Sequence, residues 1–436
     1  MMRFRISIIY IITLLFLLLI LQPGGLAAQD KRVYTLEESI REALSKNRAL
    51  KAKEEGVIQA TYVEKQAKTD FFPKLSTSYG YTRLSEPPSF GNMVMGTENN
   101  YQWKGTVTQP VFTGFALISA HRLSELGIDQ SKLNIELSKL DLTLNVKKAY
   151  FEILMADKTI EVTTKDVESR KSNVNVALNF FKVGLIPIND VLKAEVELAN
   201  AQQQLITSRN ASLFARAAFN AVLSKPINTP VEVVDILKYK PGHGNLGNYI
   251  KEAFKNRPEM KLLDINILQR DQEIRLTKSE NYPKINFQYD YIKEGDSPDV
   301  SGSDFSDSDT WTVMAVCSWT LWEWGKTRYK VKEKESLKNE LMQTKLALED
   351  NIRLEVKGEV LALKNAAENI PTTRKAVEQG EENLRVNNER YKAKMTTITE
   401  VLDAQSLLTQ ARANHYRALY NHNLAKARLQ RAIGAY

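Results

Sequence analysis

The sequence predicts an internally duplicated membrane protein of the α+β class, made of long antiparallel helical hairpins and four membrane strands. Three observations predict this fold class. The second half of the chain repeats the first at an offset of 210 residues, two very long stretches carry helical patterning, and two blocks alternate polar with aromatic residues as strands do. A period this long indicates two copies of a whole structural unit rather than a solenoid.

The offset is constant along the repeat. The motif Phe-Pro-Lys-Leu that begins at Phe72 returns as Tyr-Pro-Lys-Ile from Tyr282, and Asp190 returns as Glu400. Each repeat is therefore expected to contain one helix, two strands and one long helical hairpin. The predicted divisions are a signal peptide at 1–28, a first repeat at 29–230 and a second repeat at 231–436.

The N-terminus is typical of a secretory signal peptide. Arg3 and Arg5 precede an apolar run from Ile6 to Leu21, and small residues follow up to Ala28. Cleavage there predicts an exported protein, and an uncleaved anchor helix is the alternative. Beyond this segment no apolar run reaches the roughly 18 residues that a membrane helix needs, so a membrane-spanning part would consist of strands.

Charge and cysteine content exclude several classes of site. The formal net charge is +8, from 60 lysines and arginines against 52 acidic residues. The basic residues are interspersed with acidic ones, whereas a nucleic-acid-binding protein concentrates them in a patch or stripe, so we expect no nucleic-acid partner. Cys317 is the only cysteine, which excludes a disulfide or a cysteine metal site within one chain.

Each repeat begins with a helix of moderate length, followed by two strands. The helices are predicted from Leu36 to about Lys68 and from Leu246 to about Lys278, with Thr35 in the position of an N-cap. Polar loops at 85–100 and 293–310 separate the two strands of each pair. The aromatic side chains predicted to face the membrane are Tyr79, Tyr81, Trp103, Tyr289, Tyr291, Trp311 and Trp319.

The four strands, of which the last is predicted to run from Trp311 to Leu321, match a transmembrane β-barrel in length and in aromatic content. Cys317 shares a face with Trp311 and Trp319, so we interpret it as a small lipid-facing residue. Barrels of this kind begin at about eight strands. Four strands cannot close, and the barrel has to be shared between chains.

The longest part of each repeat is a helical hairpin. Helices are predicted from about Phe115 to Phe181 and from about Lys326 to Arg390, each about 100 Å long at about 1.5 Å per residue, with return helices at 189–224 and 399–433. Pro371 removes a backbone hydrogen bond and is expected to bend the second long helix. The helices alone would also fit a soluble coiled-coil rod, and the strands favour the membrane protein.

Over essentially the whole mature chain, these features resemble the TolC-like outer membrane efflux protein family. Each motif is weak alone, and the ordered set at constant spacing is specific. The motifs are the Leu-x-x-x-Ile-x-x-Ala helix starts, Phe72-Pro73, Tyr282-Pro283, the run from Gln109 to Gly114, Val183-Gly184-Leu185 followed by Asp190-Val191, and the run from Val401 to Gln405.

The resemblance implies a homotrimer. Each chain would give four strands to a twelve-stranded outer membrane β-barrel, and its hairpins would continue that barrel as a periplasmic α-helical barrel. Such proteins are passive exit channels of tripartite efflux or type I secretion systems. They dock by their hairpin tips to a periplasmic adaptor that an inner membrane transporter powers. The implied location is the outer membrane, in contact with its lipid and extending into the periplasm.

Function is expected at the hairpin tips, where Gly184 can adopt the positive φ of a tight turn. The apolar residues beside it would be exposed for binding, or would only staple two helices together. Lys394 replaces this glycine in the second tip, so that turn is expected to be built differently. The predicted adaptor-docking residues are Val183, Gly184, Leu185, Ile186, Lys394 and Met395. The candidate periplasmic gate residues are Glu382, Arg385, Glu389 and Arg390. The alternative is that these four are ordinary solvated charges.

Two other classes compete with the channel. A periplasmic adaptor or another envelope coiled-coil interaction protein also uses long hairpins, but it would carry one hairpin beside a small β domain, whereas this chain has two hairpins and two strand pairs. An envelope enzyme would need a catalytic constellation, and the sequence contains no phosphate-binding glycine loop or nucleophile elbow. The histidines lack metal-ligand spacing, so neither a metal nor a cofactor is expected. They are His121, His243, His415 and His422.

Overall fold

A computed structural model of the protein describes residues 33–239 and 244–436. The predicted signal peptide and His243 lie outside the described residues. The first repeat consists of β1 (Val33–Tyr34), α1 (Leu36–Lys46), α2 (Arg48–Thr69), β2 (Lys74–Arg83), β3 (Ser89–Phe90), β4 (Met93–Val94), β5 (Asn99–Phe112), α3 (Ala116–Lys182) and α4 (Ile188–Val222).

The second repeat has the same order of helices and long strands. It consists of β6 (Glu232–Val233), α5 (Leu246–Asn256), α6 (Pro258–Lys278), a short 3₁₀ turn (Ser279–Asn281), β7 (Lys284–Gly295), β8 (Asp309–Ser318), α7 (Lys326–Lys392) and α8 (Ile398–Ala432). Both long helices have 67 residues and both return helices have 35. Each helix of the second repeat starts 210 residues after its counterpart, which confirms the predicted duplication.

The prediction of one helix at the start of each repeat is wrong, because two helices stand there. Asn47 takes extended backbone angles between α1 and α2. Its side chain accepts a hydrogen bond from the N–H of Leu50 (3.1 Å) and donates one to the carbonyl of Val222 at the end of α4 (2.9 Å). In the second repeat the break falls at Arg257, because a residue before a proline avoids the helical region. The apolar periodicity continues across both breaks, and therefore conceals them.

The long strands form one antiparallel sheet in the order β2-β5-β7-β8. The central pair, β5 and β7, joins the two repeats, with Val107 opposite Tyr289. In the part of the chain that the structure describes, β2 and β8 each have a partner on one side only. This sheet is open at both edges.

The last strand is shorter than predicted, since β8 ends at Ser318 rather than at Leu321. Ser318 pairs with Lys284, and the next position on the partner strand would be Pro283, which has no N–H to donate. Trp319 leaves the ladder, and its indole N–H donates to the carbonyl of Asn281 (3.0 Å).

The long helices pack in the order α4, α3, α8, α7, with α3 and α8 in the middle. One buried cluster joins α1, α3 and α4 around Tyr150 and Phe219. The hydroxyl of Tyr150 lies 2.9 Å and 2.8 Å from the carbonyl oxygens of Tyr34 and Val234. Burial raises the pKa of Tyr150 to about 12, so the hydroxyl stays protonated and serves as a donor.

A cluster of charged residues fixes the end of α8 to the rest of the fold. Arg431 contacts Asp141 of α3 (3.0 Å) and Glu259 of α6 (2.9 Å). Arg257, which is almost fully buried, contacts Glu259 (2.8 Å) and Glu355 of α7 (2.5 Å). Because Asp141 belongs to the first repeat, the cluster also joins the two repeats.

Pro371 lies inside α7, which continues from Lys326 to Lys392 without a break. The proline has no N–H, so the carbonyl four residues earlier has no helical donor. Just beyond it, the hydroxyl of Thr373 donates to the carbonyl of Asn369 (2.8 Å). The bend expected at Pro371 stays a prediction.

Candidate functional site

The first hairpin tip closes with a left-handed residue. Gly184 has φ +72°, and nothing lies within 4 Å of the position that a Cβ would take. Its N–H donates to the carbonyl of Phe181 (2.8 Å), and the N–H of Leu185 donates to that of Phe180 (2.8 Å). This is the hydrogen-bond pattern of a Schellman helix end.

The second tip has the same turn, so the expectation of a different construction is wrong. Lys394 takes the left-handed conformation with φ +62°. Its N–H donates to the carbonyl of Tyr391 (3.0 Å), and the N–H of Met395 donates to that of Arg390 (2.8 Å). The Lys394 ammonium lies over the ring of Phe180 in the first tip. Local hydrogen bonds and this cation–π contact offset the strain of a left-handed lysine, which is about 1–2 kcal/mol.

The tips expose apolar side chains. Val183 is 67% exposed, Leu185 56% and Met395 68%, while Ile186 is half-buried. Behind them, Val174 and Ala194 of the first hairpin pack with Ile398 of the second in one buried cluster. The exposed side chains at the tips therefore lie beside a packed apolar cluster, and their surfaces are free to contact another protein.

A buried polar cluster joins the two hairpins above the tips. Arg170 on α3 donates to Asp166 (3.0 Å), to Glu197 on α4 (2.6 Å) and to Ser406 on α8 (3.0 Å). Asp166, Arg170 and Gln405 are each more than nine-tenths buried. We call this set the interhelix polar cluster, and its members are Asp166, Ser169, Arg170, Glu197, Gln405, Ser406 and Thr409.

Most contacts between α3 and α8 in this cluster involve Asp166 or Gln405, beside the one from Arg170 to Ser406. Asp166 Oδ1 accepts hydrogen bonds from the side chains of Gln405 (2.8 Å) and Thr409 (2.8 Å). Gln405 Oε1 in turn accepts from the hydroxyl of Ser169 (2.7 Å). Each partner satisfies a group that would otherwise be buried without a hydrogen bond, which is expensive in a protein interior.

The four candidate gate residues lie apart from this cluster. Glu382 and Arg385 form a bidentate pair within α7 (2.8 and 2.7 Å), and Glu389 pairs with Lys392 (3.4 Å). The hydrogen bond from Arg385, with its charge, lowers the pKa of Glu382. Arg390 is exposed as well. In a single chain these residues are exposed on α7, and their gate role stays a prediction.

Sequence reasoning missed the interhelix polar cluster. Asp166 and Arg170 are four residues apart, a spacing that describes most exposed ion pairs on helices. The partners on α8 are 236 to 243 residues away in the chain. The motif from Val401 to Gln405 carries the family resemblance, and its last residue, Gln405, is the buried partner of Asp166.

The sheet has one aromatic face and one polar face. Tyr79 and Tyr81 lie opposite Trp103 and Tyr101, and the rings of Tyr81 and Tyr101 stack at 4.6 Å. Tyr291 lies opposite Trp311 on the same face. The register therefore brings together six of the seven aromatic residues predicted to face the membrane, and Trp319 lies past the strand end.

The polar face is centred on Asp290. Its carboxylate accepts hydrogen bonds from Thr106 (2.7 Å) and Gln288 (2.9 Å), and it contacts the ammonium of Lys104 (3.0 Å). These contacts span the junction between β5 and β7. A sheet with one aromatic and one hydrogen-bonded polar face suits a wall between lipid and water.

Within the described residues, no helix is long and apolar enough to cross a membrane. No group of three or more His, Cys, Asp or Glu side chains that could hold a metal ion occurs in the same ranges.

Solved structures with this architecture include outer membrane proteins. The CmeC outer membrane channel of Campylobacter jejuni has a TM-score of 0.80 and 16% identity, over 92% of this chain and 85% of that one. The outer membrane protein VceC of Vibrio cholerae has a TM-score of 0.79 and 16% identity, over 92% and 96%. At this identity the likeness shows the fold. Helical hairpins joined to a four-stranded sheet are thus the fold that this chain shares with them.

The sequence comparisons give the family. The family model described as outer membrane efflux protein matches residues 39–224 and 249–435, one match in each repeat. Nodulation protein T of Rhizobium leguminosarum bv. trifolii is 19% identical over 326 residues, which are 72% of this chain and 67% of that protein. The chain belongs to the TolC-like outer membrane efflux protein family.

Proposed function

We propose that three copies of this chain form the passive exit channel of a tripartite efflux or type I secretion system. The observation that carries the proposal is the open sheet, whose edge strands β2 and β8 lack a second partner in the described chain. In lipid each unpaired backbone group costs several kcal/mol, so a membrane sheet has to close. Four strands are too few to do so. The family resemblance implies three copies, which supply twelve strands.

The helices support the same closure. Because α3 and α8 lie in the middle of the row, α4 and α7 are its free ends. On α4, Ile206 and Leu213 are exposed seven residues apart. On α7, Leu354 and Leu361 are exposed seven residues apart. A heptad spacing is typical of a helix that packs against another helix. In the proposed trimer, α4 of one copy packs on α7 of the next.

Docking is proposed at the tips. Val183, Leu185 and Met395 are exposed beside two turns of the same geometry, which supports a rigid apolar surface for a periplasmic adaptor. An inner membrane transporter would supply the energy, and the chain would perform no chemistry. The alternative in which this chain is itself the adaptor has little support, because its fold is that of the channels.

The interhelix polar cluster is proposed to hold the tunnel in its narrow state. Gln405 and Thr409 connect α8 to Asp166 on α3, so separation of the two hairpins near the tips has to break these hydrogen bonds. Glu382, Arg385, Glu389 and Arg390 remain candidates for a second constriction between copies.

The trimer is tested by electron microscopy of the detergent-extracted mature protein. We expect a hollow particle with threefold symmetry and a length above about 100 Å, because the long helices alone have that length. A compact particle made of one chain would contradict the proposal.

Docking is tested in cells with a photo-crosslinking residue in place of Leu185, and with the same residue in place of the exposed Lys171 on α3 as control. Captured proteins are identified by mass spectrometry. We expect Leu185 to capture a periplasmic protein with a long helical hairpin, and Lys171 not to. Equal capture at both positions, or none at Leu185, would refute docking at the tip.

A further inference from the structure

A groove of about 630 Å³ lies far along α3 and α8 from the hairpin tips, and no function proposed above uses it. Residues of α1, α3 and α8 and of the segment after β6 line it. We call it the lysine groove, because Lys147 of α3, Lys238 of the segment after β6, and Lys426 of α8 all line it.

The charge of the lysine groove is not balanced. Lys147 is 8% exposed, and its ammonium donates to the side chain of Gln430 (2.7 Å), a neutral group. Among the described residues, no carboxylate lies within salt-bridge distance of Lys147, Lys238 or Lys426, and Glu37 is the one acidic side chain in the lining. Burial and the nearby charge of Lys426 lower the pKa of Lys147. An anion in the groove would remove part of this cost.

A buried histidine also borders the lysine groove. His422 also lines the groove and is only 4% exposed. Its Nδ1 has no hydrogen-bond partner within the described residues, while the ring packs edge-on against Tyr239 (5.1 Å between centroids). Nδ1 is itself closed to solvent, so a ligand in the groove would be recognised through the lysines and the apolar lining rather than through this nitrogen.

Much of the remaining lining is apolar, beside the polar residues Thr35, Thr143 and Asn423. Leu36, Ile40 and Phe151 lie on the helices, and Val234 and Ile236 precede Lys238 at intervals of two residues. Apolar side chains thus lie beside the three lysines in the lining of the groove, and each lysine belongs to a different element of the fold. A single inorganic anion would leave most of this surface without a partner, whereas a peptide carries several carboxylates with apolar groups between them.

We propose that the lysine groove binds a short acidic peptide segment of a partner protein, in which carboxylates alternate with small apolar side chains. The carboxylates contact Lys147, Lys238 and Lys426, and the apolar side chains lie against Phe151 and Ile236. This interaction is separate from docking at the tips and does not depend on it.

The test measures binding to the purified full-length protein in detergent by fluorescence anisotropy. The probe is a fluorescein-labelled hexapeptide that alternates glutamate with alanine and valine, and the matched probe has glutamine in place of glutamate. The groove variant is Lys238→Ala with Lys426→Ala, both at exposed positions. The control variant, Lys255→Ala with Lys357→Ala, removes the same charge from exposed positions outside the groove.

We expect the groove variant to weaken binding of the acidic probe at least about tenfold, because two charge-assisted contacts are lost. The control variant should stay within about twofold of the parent protein, since distant exposed charges are screened. Equal binding by the groove variant, an equal loss in the control variant, or equal binding of the glutamine probe would each overturn the proposal. Displacement of the probe by inorganic phosphate as readily as by unlabelled peptide would identify a small-anion site and overturn it too.

Discussion

Gly114 is the residue at which β5 turns into α3, and its backbone has φ +63°. A Cβ at this position would lie 2.6 Å from the carbonyl oxygen of Ser279 and 2.7 Å from the Cβ of Tyr282. The second repeat has the same turn with Trp324 and Gly325 in the two left-handed positions. Gly114 and Trp324 occupy the first of these two positions, so only the first repeat has a glycine there.

Gly114→Ala is therefore expected to destabilise the protein in two ways. The left-handed conformation costs about 1–2 kcal/mol for a residue with a side chain, and the clash adds about 1–3 kcal/mol. Gly91→Ala is the matched control, because Gly91 has φ +62° and open space around it. Thermal unfolding in detergent, followed by circular dichroism, should show a clearly lower midpoint for Gly114→Ala than for Gly91→Ala. Equal midpoints would mean that the surroundings of Gly114 yield without cost.

Two glutamates, Glu259 on α6 and Glu359 on α7, have opposite pKa shifts. Burial would raise the pKa of Glu259, but the hydrogen bonds and charge of Arg257, with the charge of Arg431, lower it. Burial raises the pKa of Glu359, and Arg428 opposes this only in part. One Oε of Glu359 has no hydrogen-bond partner among the described residues.

The sign of each effect on stability follows from linkage. A lowered folded-state pKa means that ionised Glu259 stabilises the fold above the unfolded-state value of roughly 4.3, and that this contribution is lost as the pH falls through the folded-state pKa. For Glu359 the neutral form is favoured in the fold, so its contribution is present at low pH and is lost as the pH rises through the raised folded-state pKa.

We therefore expect Glu259→Gln to lower the unfolding midpoint at about pH 7 and to flatten its decline between about pH 5 and about pH 3. Glu359→Gln should raise the midpoint at about pH 7, since it removes a charge that the fold disfavours. Thermal melts across this range test both. A parent-like acid decline in Glu259→Gln, or a lower neutral midpoint in Glu359→Gln, would contradict these assignments.

At the scale of single elements, the break between α1 and α2 depends on one side chain. Asn47 caps α2 and also donates to the carbonyl of Val222 at the end of α4. Asn47→Ala should cost about 1 kcal/mol for the cap and about 1 kcal/mol or more for the carbonyl left unpaired. Asn245→Ala is the matched control, because Asn245 caps α5 by a bond to the N–H of Gly247 (2.7 Å). The unfolding midpoint should fall further for Asn47→Ala, and an equal fall would show that the bond to Val222 contributes nothing.

The elements also show what the sequence can predict here. The long helices begin and end within a few residues of the predicted positions, because apolar periodicity and an exact duplication constrain them together. Apolar periodicity and duplication do not predict the break at Asn47, the left-handed conformation of Lys394 or the partners of Asp166. Each depends on a contact with a residue far away in the chain, such as Val222, Phe180 or Gln405, and no local pattern records such a contact.

At the scale of the whole channel, the two hairpins of one chain are expected to separate more easily when their polar contacts are removed. Gln405→Ala with Thr409→Ala removes two hydrogen bonds to Asp166 and leaves its contact with Arg170. We expect a several-fold higher single-channel conductance of the reconstituted protein. Gln410→Ala on the exposed side of α8 is the control. Unchanged conductance in the double variant would show that the cluster does not restrict the tunnel.

The proposed assembly also depends on the free face of α4. Ile206 and Leu213 are exposed in one chain but would be buried against the next copy. Ile206→Asp with Leu213→Asp would bury two carboxylates in an apolar contact, at a cost of several kcal/mol in each copy. We expect this variant to dissociate into single chains in detergent, as measured by light scattering behind size exclusion. Gln204→Asp with Ala211→Asp is the control, because it adds the same charge to α4 away from these leucine and isoleucine positions.

The comparison of these two variants separates closure by helices from closure by strands. If only Ile206→Asp with Leu213→Asp dissociates, contact between α4 and α7 is necessary for the trimer, and the open edges of the sheet do not hold the copies together alone. If both variants stay trimeric, strand pairing between β2 and β8 of neighbouring copies is sufficient, and the apolar face of α4 needs another partner. If both dissociate, added charge rather than the contact between α4 and α7 controls the assembly, and the proposed packing of α4 on α7 is wrong.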